Sequence, residues 1–254
     1  MTTWPRLALC SAIVAGLVGA PVTEAHSRDR TAAARKKKVK KKKKRPRKAS
    51  ARKARKRGNN MPPGWTWPPS KEMTAEGKAC TDALDALGIA WKPAGAARKI
   101  NTPITLTAME LAGIKLVSTY RRGPHVMDCD LALGLATHLP VLFDAGVREL
   151  HFSRIHDYTQ VRVDGVQKNT LSRHALGLAI DVRFFVDVDG RQAVVLDDYP
   201  KGDALLLDVE QKLTDSGGFR TILTPRNDPK SHDDHFHLEV RVDYTQPLPG
   251  KPPS

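Results

Sequence analysis

Ser172–Val186 reads SRHALGLAIDVRFFV, and Ser231–Val242 reads SHDDHFHLEVRV. Each stretch opens on polar residues and runs into β-branched and aromatic ones, which predicts a strand in each. Leu178–Val186 (LAIDVRFFV) is the first, with Gln192–Leu196 (QAVVL) as its hairpin partner closed near Asp189-Gly190. His235–Val242 is the second, and Phe219–Leu223 and Val147–Phe152 add two more. Helical spacing of apolar residues occupies Thr74–Leu87, stopped by Gly88, and Asp203–Leu213, stopped at Gly217-Gly218. Met127–Phe143 reads as a further helix, with Pro140 placed to kink or shorten it. Helices lead, and strands with one intervening helix follow. The pattern predicts an α+β domain, a small antiparallel sheet carrying the histidines and flanked by helices.

The 254 residues do not share one composition. Residues 1–25 carry Arg6, an apolar run from Leu7 to Ala20, and Thr23 and Ala25 as small residues before a cleavage point, the pattern of a secretory signal peptide. That run is shorter than the ~20 residues needed to span a bilayer. Residues 26–58 follow as a polybasic tail. Within it, Arg28–Arg57 holds 19 Lys or Arg against one acid, so it carries +18 and leaves the remaining chain at −3 within a total of +15. Such a tract has little apolar surface to bury and repels itself, so it reads as disordered. It serves either as a solvated spacer or as an arm for anionic lipids and envelope polymers, at about 1 kcal/mol per basic residue near an anionic membrane. No dedicated nucleic-acid site is read from it. Residues 59–73 form a Pro- and Trp-rich linker, 74–244 the folded domain, and 245–254 a disordered end.

Export sets the redox context. With Cys10 in the leader, Cys80 and Cys129 are left, and in an oxidising compartment they pair into one disulfide closing a loop of about 50 residues.

Chemistry concentrates in the two opening stretches. His174 and Asp181 lie seven residues apart, and Ser231–Glu239 holds three histidines. In a strand, His235 and His237 project from one face about 6.5 to 7 Å apart. Zinc accepts His nitrogen and Asp oxygen at about 2.0 to 2.2 Å, and a catalytic site uses three protein ligands with a fourth position left for water. His174, Asp181 and His237 are such a set. His125, His138, His151 and His156 read instead as hydrogen-bonded surface or core residues.

Ser-x-His-x-x-Gly-x-Ala-x-Asp, followed about 50 residues later by His-x-His at the start of an apolar strand, resembles a group of zinc peptidases. That group includes D-alanyl-D-alanine carboxypeptidases, penicillin-insensitive murein endopeptidases and hedgehog-type domains. Within it, SRHALGLAIDV and HDDHFHLEV are most similar to the bacterial extensin-like carboxy-terminal domain family. The resemblance implies a bound Zn²⁺ on His174, Asp181 and His237, and action on peptidoglycan stem peptides. It also implies an acid for proton transfer at Asp234 or a base at His232, and oxyanion stabilisation by His235. An upstream Arg that polarises substrate maps to Arg162, with Arg154 as its rival. Asp234 can serve only if the chain is still a loop there, since a regular strand would turn it from the face of His235 and His237. Ser172 reads as support for the motif turn, and Gly177 and Ala179 as residues that permit close packing at the metal.

Three functions follow from these readings. One is an exported, periplasmic or extracellular zinc hydrolase of peptidoglycan peptides, of carboxypeptidase or endopeptidase type. The second is a zinc-containing wall-binding module without turnover, and the third is an anion binder whose activity resides in the tail.

Overall fold

A computed structural model describes residues 60–163 and 166–246. The chain divides into Met1–Ala51 and Arg52–Ser254, and the first unit lies wholly outside the described residues. The expected signal peptide, the polybasic tail and residues 247–254 of the expected C-terminal stretch therefore lie outside them too.

Ser70 starts the first helix, its hydroxyl accepting from the Met73 amide, and α1 runs Lys71–Ala86. This cap precedes Thr74, whose own hydroxyl instead donates back to the Ser70 carbonyl at 2.9 Å from within the first turn. The linker reading of 59–73 is corrected accordingly. Residues 60–70 lack regular structure but pack on the domain: Asn60 donates to the Leu171 carbonyl at 2.7 Å and Trp65 lies against the core.

Short strands follow that periodicity does not reveal: β1 (Trp91–Pro93), β2 (Pro103–Leu106), β3 (Glu110–Leu111), β4 (Ile114–Ser118) and β5 (Met127–Asp128). The expected helix over Met127–Phe143 is split into β5, α2 (Cys129–His138) and α3 (Pro140–Asp144). Asp128 caps α2 and Pro140 begins α3, where its missing N–H costs nothing. Next come β6 (Val147–Arg154), the ribbon β7 (Gln160–Val163) and β8 (Val166–Leu171), then β9 (Ala179–Asp187) and β10 (Gln192–Val194). Val195 and Leu196, expected in that last strand, open α4 (Val195–Asp198). The chain closes with α5 (Ala204–Asp215), β11 (Phe219–Leu223) and β12 (Phe236–Val240).

Seven of these strands form one sheet, ordered β11-β12-β9-β6-β4-β3 with β10 also on β9. The domain is α+β as expected, but the sheet is larger than predicted. It contains one parallel pair, β4 with β6, whose crossover carries α2 and α3. On β12 all five residues are buried, and alternation divides them: Phe236, Leu238 and Val240 belong to the hydrophobic core, while His237 and Glu239 take the other side. Helix α2 approaches β12 so closely that a Cβ on Gly134 would lie 2.6 Å from Val240. Cys80 and Cys129 are disulfide-bonded with their Cα atoms 6.1 Å apart, which ties α1 to the start of α2. Among the described residues no helix is long and apolar enough to cross a membrane.

Candidate metal centre

Three elements carry the ligand set. Ser172 caps a single 3₁₀ turn, Arg173–Leu176, accepting from the His174 amide at 3.2 Å, and this fixes where the imidazole points. Gly177 ends the turn at φ +68, a conformation that disfavours any side chain. An added Cβ there would sit 2.7 Å from the Asp128 amide nitrogen, so Gly177 packs against the start of α2. The chain then enters β9, where Asp181 stands directly opposite His237 of β12.

The result is a triangle of buried donor atoms. His174 Nε2 lies 3.0 Å from Asp181 Oδ1 and 3.1 Å from His237 Nδ1, and His237 Nδ1 lies 2.7 Å from Asp181 Oδ1. Zinc with bonds of about 2.0 to 2.2 Å separates its ligand atoms by about 3.3 Å, so a small outward movement admits an ion. The outer nitrogens are already committed. His174 Nδ1 donates to the Ile155 carbonyl at 2.9 Å, and His237 Nε2 donates to Glu239 Oε1 at 3.2 Å. Each imidazole thus presents its remaining nitrogen to the centre, the arrangement metal-ligating histidines adopt. These three residues can hold a metal ion.

Electrostatics give the same picture. Burial would lower the pKa of His237, but hydrogen bonds and charge from Asp181 and Glu239 outweigh it and raise it to about 9. Without a metal, a proton shared with Asp181 stands where a cation would. Burial opposes ionisation of Asp181, yet the charges and hydrogen bonds of His174 and His237 hold it well below the usual carboxylate range. For Glu239 burial is likewise outweighed, by His237, Arg220 and Arg173, leaving its pKa at about 2. Glu239 escaped the sequence reading, although its position two residues after His237 on a strand put it on the same face. Arg173 is fully buried and falls to about 10 through desolvation, so it stays cationic beside Glu239.

Asp181 opens onto a cleft of about 770 Å³ whose lining also includes Arg154, Arg183, Asp234 and His235. His235 lies before β12 and not within it, because the strand begins at Phe236. Its ring nonetheless reaches the centre, Nε2 standing 3.6 Å from Asp181 Oδ1. Asp234 is in a loop, the condition its proposed role required, but its carboxylate is engaged. One oxygen meets His235 Nδ1 at 2.5 Å and the other pairs with Arg183. His232 Nδ1 bonds Asp228 at 2.9 Å, and its ring lies 4.8 Å from that of His235 and 5.4 Å from that of His237. Burial and the charges of His237 and His235 push His232 below its ordinary pKa, so it is neutral at pH 7.

Arg162 is not part of this assembly. It is exposed on β7, in the separate two-stranded ribbon, and is absent from the cleft lining. Its rival Arg154 ends β6 in register with Asp181, lines the cleft and lies 3.7 Å from that carboxylate. Arg183 went unread, although it stands two residues after Asp181. Of the other histidines, His138 and His151 pack against Phe219 and Phe184, whereas His125 and His156 line the cleft.

No curated protein and no solved structure matches the chain. Residues 78–246 match the family model described as extensin-like protein C-terminus, and the chain belongs to that family.

Proposed function

We propose that this member of the extensin-like family is an exported zinc-dependent hydrolase of peptidoglycan peptides. The observation that carries the reading is the buried triangle of His174 Nε2, Asp181 Oδ1 and His237 Nδ1, with both outer imidazole nitrogens bonded to acceptors and Asp181 lining an arginine-bearing cleft. Likeness of both motifs to zinc peptidases supports the substrate class. The apolar run Leu7–Ala20 and the tract Arg28–Arg57 support export and attachment to anionic envelope polymers.

Zinc, when bound, supplies Lewis acidity and a water acidified to a pKa of about 7. The chain's own groups do the rest. His235, its Nδ1 held by Asp234, directs Nε2 to the centre and is placed to take a proton and return it to the leaving amine. Asp234, braced by Arg183, is the group that orients that imidazole. His232, neutral and adjacent, is a second proton acceptor. Arg154 presents its guanidinium to the cleft beside Asp181 and is placed to polarise a scissile carbonyl. One observation favours the binding module as a second reading: the Asp234 carboxylate is occupied on both oxygens.

Mass analysis of purified muropeptides incubated with the zinc-loaded protein tests the reading. Cleavage is expected, lowered by about 10² to 10⁴ in His235→Ala with zinc content retained. Unchanged muropeptide masses with the wild-type protein would reject the hydrolase in favour of the binding module.

A further inference from the structure

The cleft has a second end, built by a loop that takes no part in the metal centre. Strand β4 finishes at Ser118, which is in register with Phe152 of β6, and Phe152 in turn is in register with Val182, the neighbour of Asp181. The chain therefore leaves the sheet level with the metal centre but two strands away, about 10 Å at the usual spacing of about 4.8 Å. Thr119 donates to the Phe152 carbonyl at 2.8 Å and the Arg121 amide donates to Ser118 Oγ at 3.2 Å, which fixes how the loop departs. Its His125 ring rests edge-on against Phe152 with centroids 5.0 Å apart.

Tyr120, Arg121 and Arg122 all line the cleft, and all three are exposed, Tyr120 to 68%. Charge in the rest of the lining is largely paired. Arg154 faces Asp157 and Asp181, Arg183 faces Asp234, and Asp181 faces two histidines; Asp233 adds one further negative charge. Arg121 and Arg122 differ: among the described residues neither guanidinium makes an ion pair or hydrogen bond. Two adjacent unpaired guanidinium groups at the wall of a polar cleft are a receptor for a carboxylate, which arginine binds bidentately.

We infer that Arg121 and Arg122, with Tyr120 beside them, form a subsite for a free carboxylate of the peptide substrate, in the same cleft as the bond that is cut and at least one residue along the chain from it. The separation comes from the fold: the loop leaves the sheet two strands, about 10 Å, from the strand that carries Asp181, so the carboxylate it binds is not the one at the scissile residue. This inference deepens the peptidase reading and rests on it for the identity of the ligand as a peptide. It separates two substrate types. A dipeptide end with its only carboxylate at the scissile residue leaves the subsite empty, whereas a longer peptide carrying an acidic side chain fills it.

The test uses acetylated, C-terminally amidated tetra-alanine peptides with a single Glu or Gln at each position in turn. Binding is measured by calorimetry on the full exported chain, metal-free and zinc-loaded. One register of Glu is expected to bind about tenfold tighter than its Gln counterpart, in both metal states. Arg121→Ala/Arg122→Ala should abolish that preference, and Arg121→Lys/Arg122→Lys should retain part of it, since charge survives but the fork does not. Zinc stoichiometry and circular dichroism establish that the variants are folded. A Glu preference seen only with zinc and unchanged in the alanine variant would overturn the subsite and put the carboxylate on the metal, leaving the peptidase reading intact. Absence of any Glu preference would overturn it as well. A preference that depends on the two arginines, in a protein that leaves every muropeptide uncut, would sustain the subsite and reject only the peptidase.

Discussion

Two buried clusters of acids lie in this domain, and their carboxyl groups shift in opposite directions. At the candidate metal centre, Asp181 and Glu239 are surrounded by His174, His237, Arg173 and Arg220, and both are held below their ordinary pKa. Where α1, α2 and the end of the domain meet, Asp128 and Asp130 lie near Glu76 and Tyr244, and no cation is among the groups that shift either aspartate. Burial pushes Asp128 up to about 6, against three backbone N–H donors from Thr102, Asp130 and Asn101. It raises Asp130 too, helped by the charges of Asp128 and Glu76. Burial alone therefore does not decide ionisation; the surrounding cations do. One cluster is prepared to hold positive charge, and the other stores protons as part of a helix cap.

The comparison breaks most visibly at Glu239. Glu239→Ala leaves the buried Arg173 without its countercharge and His237 without its orienting acceptor, so a loss of about 3 to 5 kcal/mol in urea unfolding is expected. Metal affinity should fall about 10- to 100-fold by competition with a chelator. Stability within 1 kcal/mol of wild type would mean that the acid is not supporting the centre.

Removal of the disulfide acts on the other cluster. Cys80→Ser/Cys129→Ser frees α1 from α2, with an expected cost of about 4 kcal/mol for a loop of this length. The folded fraction should still bind one metal ion, because no ligand lies on either helix. Metal loss in a variant that remains folded would show that the two regions are coupled.

Smaller, but more diagnostic, is pH. Asp128 has a folded pKa of about 6 against an ordinary 3.8, so its contribution is complete below 3.8 and is lost as pH rises through 6. His237, raised from 6.5 to about 9, contributes fully below 6.5 and loses that contribution as pH rises through 9. Glu239, lowered from 4.5 to about 2, contributes above 4.5 and fails as pH falls through 2. The metal-free domain should therefore weaken on the alkaline side first as the Asp128 and Asp130 pair ionises and then as His237 loses its proton, the Asp128 and His237 contributions each being about 3 kcal/mol at most. Asp128→Asn should shrink the first step alone, and metal should remove the second, by replacing the proton on His237. A first step of unchanged size in Asp128→Asn would contradict the assignment.

Legibility differed between the two regions for physical reasons. The candidate metal centre joins the turn before β9 to β9 and β12, two strands whose apolar runs are visible in the chain, so His174, Asp181 and His237 could be read from spacing and motif together. Glu239 and Arg183 were within reach of the alternation along those strands. The acidic cluster joins Glu76, Asp128, Asp130 and Tyr244 from three separated segments, and no periodicity links them. Strands β1 to β5 are two to five residues long and interrupted by Pro, Thr and Gly, too short for a period to show. With β4 unread, the parallel pairing and the loop bearing Arg121 and Arg122 were unreadable as well. Arg162 lies away from the cleft because the ribbon of β7 and β8 is separate from the main sheet, a tertiary fact that local sequence does not carry.

Zinc stoichiometry by elemental analysis, on the purified wild-type protein and on His174→Ala, Asp181→Ala and His237→Ala, tests the centre most directly. Folding of each variant is checked by circular dichroism in parallel. The geometry predicts one zinc per wild-type chain and a folded but zinc-free protein for each variant, since two remaining donors do not meet the three-ligand requirement. Stoichiometric zinc in any of the three folded variants would contradict the assignment of the site.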